Sequence, residues 1–194
     1  MRELALHLLD IAENSISAEA KDITITVIEN SNLDLLQMSV EDNGRGMTAE
    51  MVARVIDPFT TTRTTRKVGL GIPLLKAAAE ACKGFLEINS EIGKGTRLFV
   101  QFQRSHIDRM PIGDLETTIL NLVVTNPQVH WIFTYGYNDR VSSFDDEPVK
   151  TELGDIPMTE PSVYPIIKDM ITSTIIETNP EFTQDNVITI NQSN

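Results

Sequence analysis

Two glycines that directly follow a strand-like segment limit what the first half of this chain can form. The β-branched and apolar run 35–40 is followed by residues 41–47, which read Glu-Asp-Asn-Gly-Arg-Gly-Met. Glycines at such a place let the backbone approach a flat ligand or adopt positive φ angles. Asp42 would then lie at the floor of a pocket, where its carboxylate could accept a hydrogen bond from an exocyclic amine such as that of adenine. A plain strand-to-helix turn explains the same residues equally well.

A helix predicted over residues 2–18 carries Asp10 and Asn14. The row Leu4, Leu8, Ile11, Ser15 and Ala18 recurs at the helical period and is mostly apolar. Asp10 and Asn14 are four residues apart, so they project from the same side. A carboxylate and a carboxamide one turn apart could serve Mg²⁺, which prefers few protein oxygens together with substrate phosphate oxygens. An ordinary solvated helix face looks the same and is the commoner occurrence.

A third segment has the character of a phosphate site. Residues 57–71 are rich in Thr, Arg and Gly and are expected to form a mobile surface loop. Gly69 and Gly71 stand at its end, where a helix is predicted over residues 72–81, and a helix N-terminus with glycines favours phosphate. The chain lacks the G-x-x-x-x-G-K-[ST] pattern of a P-loop. Residues 93–96, Gly-Lys-Gly-Thr, read by themselves as a hairpin turn. The predicted loop 57–71 also contains the cations available to a triphosphate, which are Arg63, Arg66 and Lys67.

Together and in this order, the segments resemble the sequence boxes of the GHKL, or Bergerat-fold, superfamily of gyrase, MutL and histidine kinases. The resemblance covers about residues 1–103, and the part around the predicted loop is similar to nitrogen-sensor-type histidine kinases. The matching segments are 10–18 (N box), 41–47 (first glycine box), 57–63 (F box and start of the lid), 69–72 (second glycine box) and 93–96 (closing box).

The resemblance implies a role toward Mg-ATP for each matched residue. Asn14 would hold the Mg²⁺ ion, and Asp10 occupies the catalytic position. Asp42 would bind the adenine amine, with Thr96 beside it and a water between them and the base. The remaining expected nucleotide-binding residues are Gly44 and Gly46 at the adenine pocket, Phe59 as the anchor of the lid, Arg63, Arg66 and Lys67 at the phosphates, and Gly69, Leu70 and Gly71 along the phosphates.

The chain departs from the family pattern at three places. The position of Asp10 carries a water-activating Glu in the ATPase branches and often Asn in histidine kinases. An Asp there has one methylene less reach, which weakens the case for general-base hydrolysis. Lys67 stands where a glycine is usual, which predicts a stiffer lid hinge. No dimerisation and phosphoacceptor helix pair precedes the domain, and His7 lacks the flanking pattern of a phosphoacceptor. A complete histidine kinase is therefore not expected.

The order of predicted elements indicates an α+β fold. Residues 1–104 are expected to form a two-layer α/β sandwich with helices on one face of a mostly antiparallel sheet. Residues 105–194 are expected to form a small acidic α-β-β-α unit that ends in a polar, loose tail from Asn179. Of the net charge of −12, residues 1–103 carry −3 (11 basic, 14 acidic) and residues 104–194 carry −9 (5 basic, 14 acidic). In the second unit, Trp131, Phe133 and Tyr135 are expected in the core, and Asp145, Asp146 and Glu147 in a solvated loop.

These features lead to two functional hypotheses. The first is a Mg-ATP-binding regulatory module, a stand-alone protein kinase or slow ATPase that acts on a partner protein. The second is a non-catalytic ATP-gated switch or adaptor whose C-terminal unit binds a partner. A homodimer is left open. The acidic charge argues against a nucleic-acid partner, and no apolar run is long enough for a membrane span or signal peptide. A cytoplasmic location is therefore expected.

Overall fold

The structure, a computed structural model, describes residues 3–57, 71–180 and 182. In these ranges six strands form one sheet and six helices accompany it. None of the described helices has both the length and the apolar character needed to cross a bilayer. The helices are α1 (Leu4–Ser17), α2 (Ala49–Ile56), α3 (Gly71–Ala81), α4 (Leu115–Thr125), α5 (Glu147–Leu153) and α6 (Tyr164–Thr178). The strands are β1 (Asp22–Asn30), β2 (Leu35–Asp42), β3 (Phe85–Glu91), β4 (Gly95–Gln103), β5 (His130–Tyr137) and β6 (Arg140–Asp145).

The helices lie on one face of the sheet. Strand order is β3-β4-β2-β1-β5-β6, and every neighbouring pair is antiparallel except β1 and β5. Alternate strand residues such as Ile23, Ile25 and Val27 are buried, and α1 contacts α3, α4 and the sheet while α6 contacts α4, β5 and β6. Because the period of a strand is two residues, this alternation places one apolar face against the helices. The predicted α+β sandwich is confirmed.

The second unit extends the sheet of the first. Strand β5 pairs in parallel with β1, so that Trp131 lies opposite Ile23 and Tyr135 opposite Val27. Trp131, Phe133 and Tyr135 are all buried, as predicted. The helix α5, which the sequence did not suggest, lies between β6 and α6. The boundary near residue 104 stays a prediction, and it coincides with no break in the sheet.

The predicted solvated loop at residues 145–147 is wrong for Asp146, whose side chain is fully buried. One oxygen accepts a hydrogen bond from the backbone nitrogen of Trp131 at 3.0 Å. The other lies 2.7 Å from Nζ of Lys150, one turn along α5. Since a buried carboxylate needs such partners, the place where β6 passes into α5 is held by an ion pair inside the protein.

The polar tail was predicted to be loose from Asn179, and its first residues are packed instead. Asn179 is buried, and its Nδ2 donates to the hydroxyl oxygen of Tyr135 at 3.4 Å. The ring of Phe182 meets the ring of Tyr135 edge-on, with 5.5 Å between centroids. The chain is therefore anchored to β5 directly after α6. Residues 181 and 183–194 lie outside the described part.

Candidate functional site

One cavity brings together four of the residues that the sequence singled out. It measures about 380 Å³ and lies between α1, α2 and the ends of β2 and β4. Asn14 comes from α1, Asp42 is the last residue of β2, and Thr96 lies opposite Asp42 on β4. A mostly apolar wall with a few convergent polar groups is typical of a site for a small organic ligand. The other lining residues include Gly46 and the apolar Ile11, Val40, Met47, Met51, Val55, Ile72, Ile88 and Leu98.

The carboxylate of Asp42 is held from both sides. Its Oδ2 accepts a hydrogen bond from Oγ of Ser15 at 2.6 Å, and its Oδ1 accepts one from the backbone nitrogen of Gly44 at 2.8 Å. A carboxylate oxygen can accept more than one hydrogen bond. Asp42 is thus oriented at the floor of the cavity and keeps capacity to accept a hydrogen bond from a ligand.

Ser15 is a site residue that the sequence reasoning missed. It is buried on α1 and reaches Asp42 across the interface with β2. The available signal was a hydroxyl in the otherwise apolar row of α1, at the position where an aliphatic side chain would have continued the core. A buried hydroxyl in such a row needs a hydrogen-bond partner, and here that partner is the carboxylate of Asp42.

The hydroxyl of Thr96 belongs to a small polar network around Ser90, a second residue that was not predicted. Oγ of Ser90 donates to the carbonyl oxygen of Gly95 at 2.9 Å and accepts from the backbone nitrogen of Met47 at 2.8 Å. Oγ1 of Thr96 lies 2.8 Å from the same oxygen. Because Ser90 has one hydroxyl hydrogen, Thr96 donates to it. The lone pairs of Thr96 remain available to a water or ligand at the cavity wall.

Gly46 occupies a position that only glycine fits. Its φ angle is +66°, and a Cβ atom there would lie 1.9 Å from the carbonyl oxygen of Glu91. The neighbouring Arg45 accepts a hydrogen bond from the backbone nitrogen of Gly93 at 2.8 Å. The loop after β2 therefore lies directly on the turn between β3 and β4. Gly46 lines the cavity and Gly44 does not, and the role of both glycines in shaping an adenine pocket stays a prediction.

Asp10 lies against the start of α3. A Cβ atom on Gly71, the first residue of α3, would lie 1.7 Å from Oδ2 of Asp10. This oxygen is buried and has no hydrogen-bond partner among the described residues. Asp10 is absent from the cavity wall, although Asn14 one turn later is part of it. The helix N-terminus, where backbone N–H groups favour anions, is thus next to the position predicted to be catalytic.

His7 is buried one turn before Asp10. Burial lowers the pKa of His7, and a hydrogen bond to the backbone of Gly71 offsets this only in part. The ring is therefore neutral at neutral pH, and its Nδ1 has no partner within the part of the chain that the structure describes. The ring is enclosed where α1 meets α3, and that His7 is not a phosphoacceptor stays a prediction.

Several predicted site residues fall outside the described part of the chain. Their expected contacts with phosphate, and the predicted mobility of the loop that contains them, stay predictions. These residues are Phe59, Arg63, Arg66, Lys67, Gly69 and Leu70.

Comparisons with known proteins point to one family. Residues 2–106 match the family model described as histidine kinase-, DNA gyrase B-, and HSP90-like ATPase. The sensor protein kinase FleS of Pseudomonas aeruginosa is 40% identical over 88 residues, which are 45% of this chain and 22% of that protein. The sporulation kinase C of Bacillus subtilis is 32% identical over 88 residues, 45% of this chain and 20% of that protein. The chain therefore spans less than a quarter of the length of these relatives.

A solved structure shares the fold over most of the chain. The N-terminal domain of a DNA repair protein superposes with a TM-score of 0.52 and 14% sequence identity. The superposition covers 90% of this chain and 57% of the other. At this identity the likeness concerns the fold alone, and a coverage of 90% means that it extends past residue 106.

Proposed function

The chain belongs to the family of histidine kinase-, DNA gyrase B- and HSP90-like ATPases, and on this premise we propose that it is a Mg-ATP-binding regulatory module. It acts on a partner protein, either as a protein kinase or as a slow ATPase. The observation that carries the proposal is the convergence of Asn14, Asp42 and Thr96 on one cavity of about 380 Å³.

The adenine ring occupies the apolar part of this cavity. Asp42, held by Ser15 and Gly44, accepts a hydrogen bond from the exocyclic amine. The hydroxyl of Thr96 binds the same edge of the base through water. Guanine presents a carbonyl where adenine has its amine, and a carbonyl oxygen next to a carboxylate leaves both acceptors without a donor. The site therefore selects adenine.

The phosphates and the metal would lie beside Asn14 and Asp10 of α1. Asn14 would supply a carboxamide oxygen, a hard donor of the kind that Mg²⁺ takes together with phosphate oxygens and water, and Asp10 lies one turn before it on α1. The buried oxygen of Asp10 without a partner fits a site that is completed by a ligand. The metal neutralises phosphate charge when it is bound. Asn14 would hold the ion, and the N-terminus of α3 at Gly71 would face the phosphates.

One observation favours the alternative of a non-catalytic ATP-gated switch. Asp10 packs against Gly71 and takes no part in the cavity wall. A general base has to reach the attacking water within hydrogen-bond distance, and the short side chain here is turned toward α3. In this alternative, bound ATP changes the affinity for the partner by its differential affinity for two states of the protein.

Release of ADP from Mg-ATP separates the two alternatives. Wild type is compared with Asp10→Asn, which keeps the shape of the side chain and removes its basicity, and with Asp42→Ala. Turnover that is lost in Asp10→Asn while ATP still binds establishes Asp10 as the base. Nucleotide binding that survives Asp42→Ala unchanged contradicts the proposed adenine site.

The action on a partner needs a second measurement. A kinase transfers label from γ-labelled ATP to a protein that copurifies with the chain, and Asp10→Asn reduces that transfer. A switch transfers no label but binds the same protein with an affinity that differs with and without ATP. Equal partner affinity in both conditions, together with no labelled protein, contradicts both forms of the proposal.

A further inference from the structure

The edge of the sheet at β6 forms a groove with α6. Among the described residues, β6 is the outermost strand on its side and pairs only with β5. Helix α6 runs beside it, and Oγ of Ser142 donates to the carboxylate of Glu177 at 3.2 Å. The groove between strand and helix measures about 490 Å³. A strand with one free edge next to a helix has the form of known sites for extended peptides.

The free edge offers main-chain groups of three residues. The turn of β5 and β6 has two residues, since Tyr137 pairs with Arg140 across it. In such a hairpin the pair next to the turn is hydrogen-bonded, and hydrogen-bonded pairs then alternate along the ladder. The main chains of Ser142 and Phe144 are therefore directed to β5. The residues whose main-chain N–H and C=O groups point outward are Val141, Ser143 and Asp145.

The wall formed by α6 has apolar residues in its N-terminal half and acidic residues along its length. Ile166, Asp169, Met170, Ser173 and Glu177 recur every three or four residues and share one face of the helix. Ile166 is 55% exposed and Met170 is 38% exposed. The apolar side chains of Ile166 and Met170 thus border the groove. Asp169 lies between them in sequence, and Glu177 follows Met170 by nearly two turns of the helix.

Two of the three cations nearest the groove in sequence are paired elsewhere, and the third, Arg140 at the first residue of β6, forms no ion pair among the described residues. Among the residues that the structure describes, Asp169 and Glu177 form no ion pair, whereas the nearby Lys150 and Lys168 are paired with Asp146 and Glu116. Asp145 contacts His130. Residues 104–194 carry a net charge of −9, so the field around the groove is negative and attracts a cationic partner.

We propose that β6 and α6 bind an extended, basic segment of a partner protein by strand addition. Its main chain pairs with Val141 and Ser143, its apolar side chains rest on Ile166 and Met170, and its Lys or Arg side chains meet Asp169 and Glu177. A second copy of this chain, with its own charge of −12, would place acidic groups against acidic groups. This surface holds the partner of the proposed regulatory module, and the binding takes place whether or not ATP is hydrolysed.

The test uses the full chain and two synthetic peptides of about ten residues that alternate lysine and valine, the length of a longer natural strand. The second peptide is N-methylated at alternate backbone nitrogens, which keeps its charge and blocks strand pairing. Binding is followed by fluorescence anisotropy, and hydrogen exchange locates the bound peptide. We expect the first peptide to bind and to protect residues 140–145, and the methylated peptide to bind about tenfold more weakly, as loss of roughly 1.4 kcal/mol implies.

Two variants probe the groove separately. Ser143→Pro removes one outward N–H at an edge position that tolerates proline, and Asp169→Lys with Glu177→Lys reverses the charge of the wall. We expect each to weaken binding of the first peptide about tenfold, which corresponds to roughly 1.4 kcal/mol. The matched control is Glu50→Lys with Glu87→Lys, which makes the same change of net charge at exposed positions outside the groove and leaves the affinity unchanged. Unaltered nucleotide binding shows that each variant is folded.

Four results overturn the proposal. The first is that neither peptide binds. The second is equal binding of both peptides, or an equal effect of the control variant, which reduces the interaction to general charge attraction. The third is a dimer in sedimentation that Ser143→Pro dissociates, which assigns the edge to a second copy. The fourth is a higher peptide affinity after deletion of residues 183–194, which assigns the groove to the end of this chain.

Discussion

At the scale of single residues, the site depends on side chains that orient other side chains. Asp42 is fixed by Ser15 and Gly44 before any ligand arrives, and Thr96 is fixed by Ser90. A preoriented acceptor loses less entropy on binding than a free one, so such contacts strengthen ligand binding without touching the ligand.

Ser15→Ala tests this orientation. Loss of a hydrogen bond to a charged group costs about 1.5–3 kcal/mol in a buried setting, and part of that appears as weaker binding because Asp42 is then free to rotate. We expect ATP affinity to fall about tenfold, corresponding to 1.4 kcal/mol, while the fold is kept. Isothermal titration measures it. An affinity equal to that of wild type would show that Gly44 alone orients the carboxylate.

Gly71→Ala tests the contact between α1 and α3. The added Cβ would lie 1.7 Å from Oδ2 of Asp10, so either the carboxylate or the start of α3 has to move. Small displacements at a reacting centre cost large factors in rate, and we expect turnover to fall about tenfold or more. Ala77→Ser, at an exposed position of the same helix, is the control and should leave turnover unchanged. Unchanged turnover in Gly71→Ala would remove the region around Asp10 from the mechanism.

At the scale of elements, His130 joins three strands. Its Nδ1 lies 3.0 Å from Oδ1 of Asp22 on β1, and its Nε2 lies 3.0 Å from Oδ1 of Asp145 on β6. Burial lowers the pKa of His130, but the hydrogen bonds to the two carboxylates outweigh burial and raise it overall. The pKa of Asp145 is lowered in turn. Burial alone would raise this pKa, but the hydrogen bonds from the backbone of Glu147 and from His130 outweigh burial.

This contact predicts a pH-dependent stability. A raised histidine pKa stabilises the fold below its ordinary value of 6.5, and that contribution is lost as pH rises through the folded pKa. The contribution of Asp145 is lost as pH falls below the ordinary 3.8. The contact therefore stabilises the fold most between pH 3.8 and the raised pKa of His130. Urea denaturation at acidic and alkaline pH should show a loss of up to about 1 kcal/mol, since the pairs are partly exposed. His130→Gln should lack the loss on the alkaline side and keep part of the loss on the acidic side, because the backbone nitrogen of Glu147 still donates to Asp145; an unchanged alkaline profile in that variant would contradict the prediction.

At the scale of the whole molecule, a buried ionic network joins the two predicted units. Glu29 of β1 is 1% exposed and lies 2.9 Å from Nε of Arg104, which directly follows β4. The hydroxyl of Tyr135 on β5 donates to the other oxygen of Glu29 at 2.7 Å. Burial and the charge of Glu29 raise the pKa of Tyr135 well above its ordinary value, so this hydroxyl remains a donor at any physiological pH.

Breaking this network from one side should cost more than removing it. Arg104→Met leaves the carboxylate of Glu29 buried without its cation, and we expect a loss of about 3 kcal/mol in the free energy of unfolding. Glu29→Met together with Arg104→Met removes both charges and should recover most of that loss. Urea denaturation gives both values. A double variant as unstable as the single one would show that shape, and not charge, makes this contact.

The shared sheet also predicts how the chain unfolds. β1 is hydrogen-bonded to β5 across the boundary near residue 104, and separation of the units would expose the edge of β1 and apolar groups such as Trp131. We expect one calorimetric transition for the full chain. Two resolved transitions would show instead that residues 1–104 and 105–194 fold separately.

Local chemistry was enough to predict much of this protein. The strand alternation of β1 and β2, the start of α2 at its capping residue Thr48, and the close backbone contact of Gly46 all follow from residue types and periods over a few positions. The α+β sandwich follows from the order of those elements, because short connections and one apolar face per element leave few arrangements.

Contacts between distant segments could not be read in this way. Nothing in residues 130–137 indicates β1 as their partner. The spacing of Asp146 and Lys150 is local, but the hydrogen bond from the main chain of Trp131 that helps to bury Asp146 is not. The orientation of the Asp10 side chain toward Gly71 likewise depends on how α1 and α3 pack. Periodicity predicts which face of an element is buried. What covers that face is selected by long-range packing, whose free energy is spread over many side chains and leaves no local pattern.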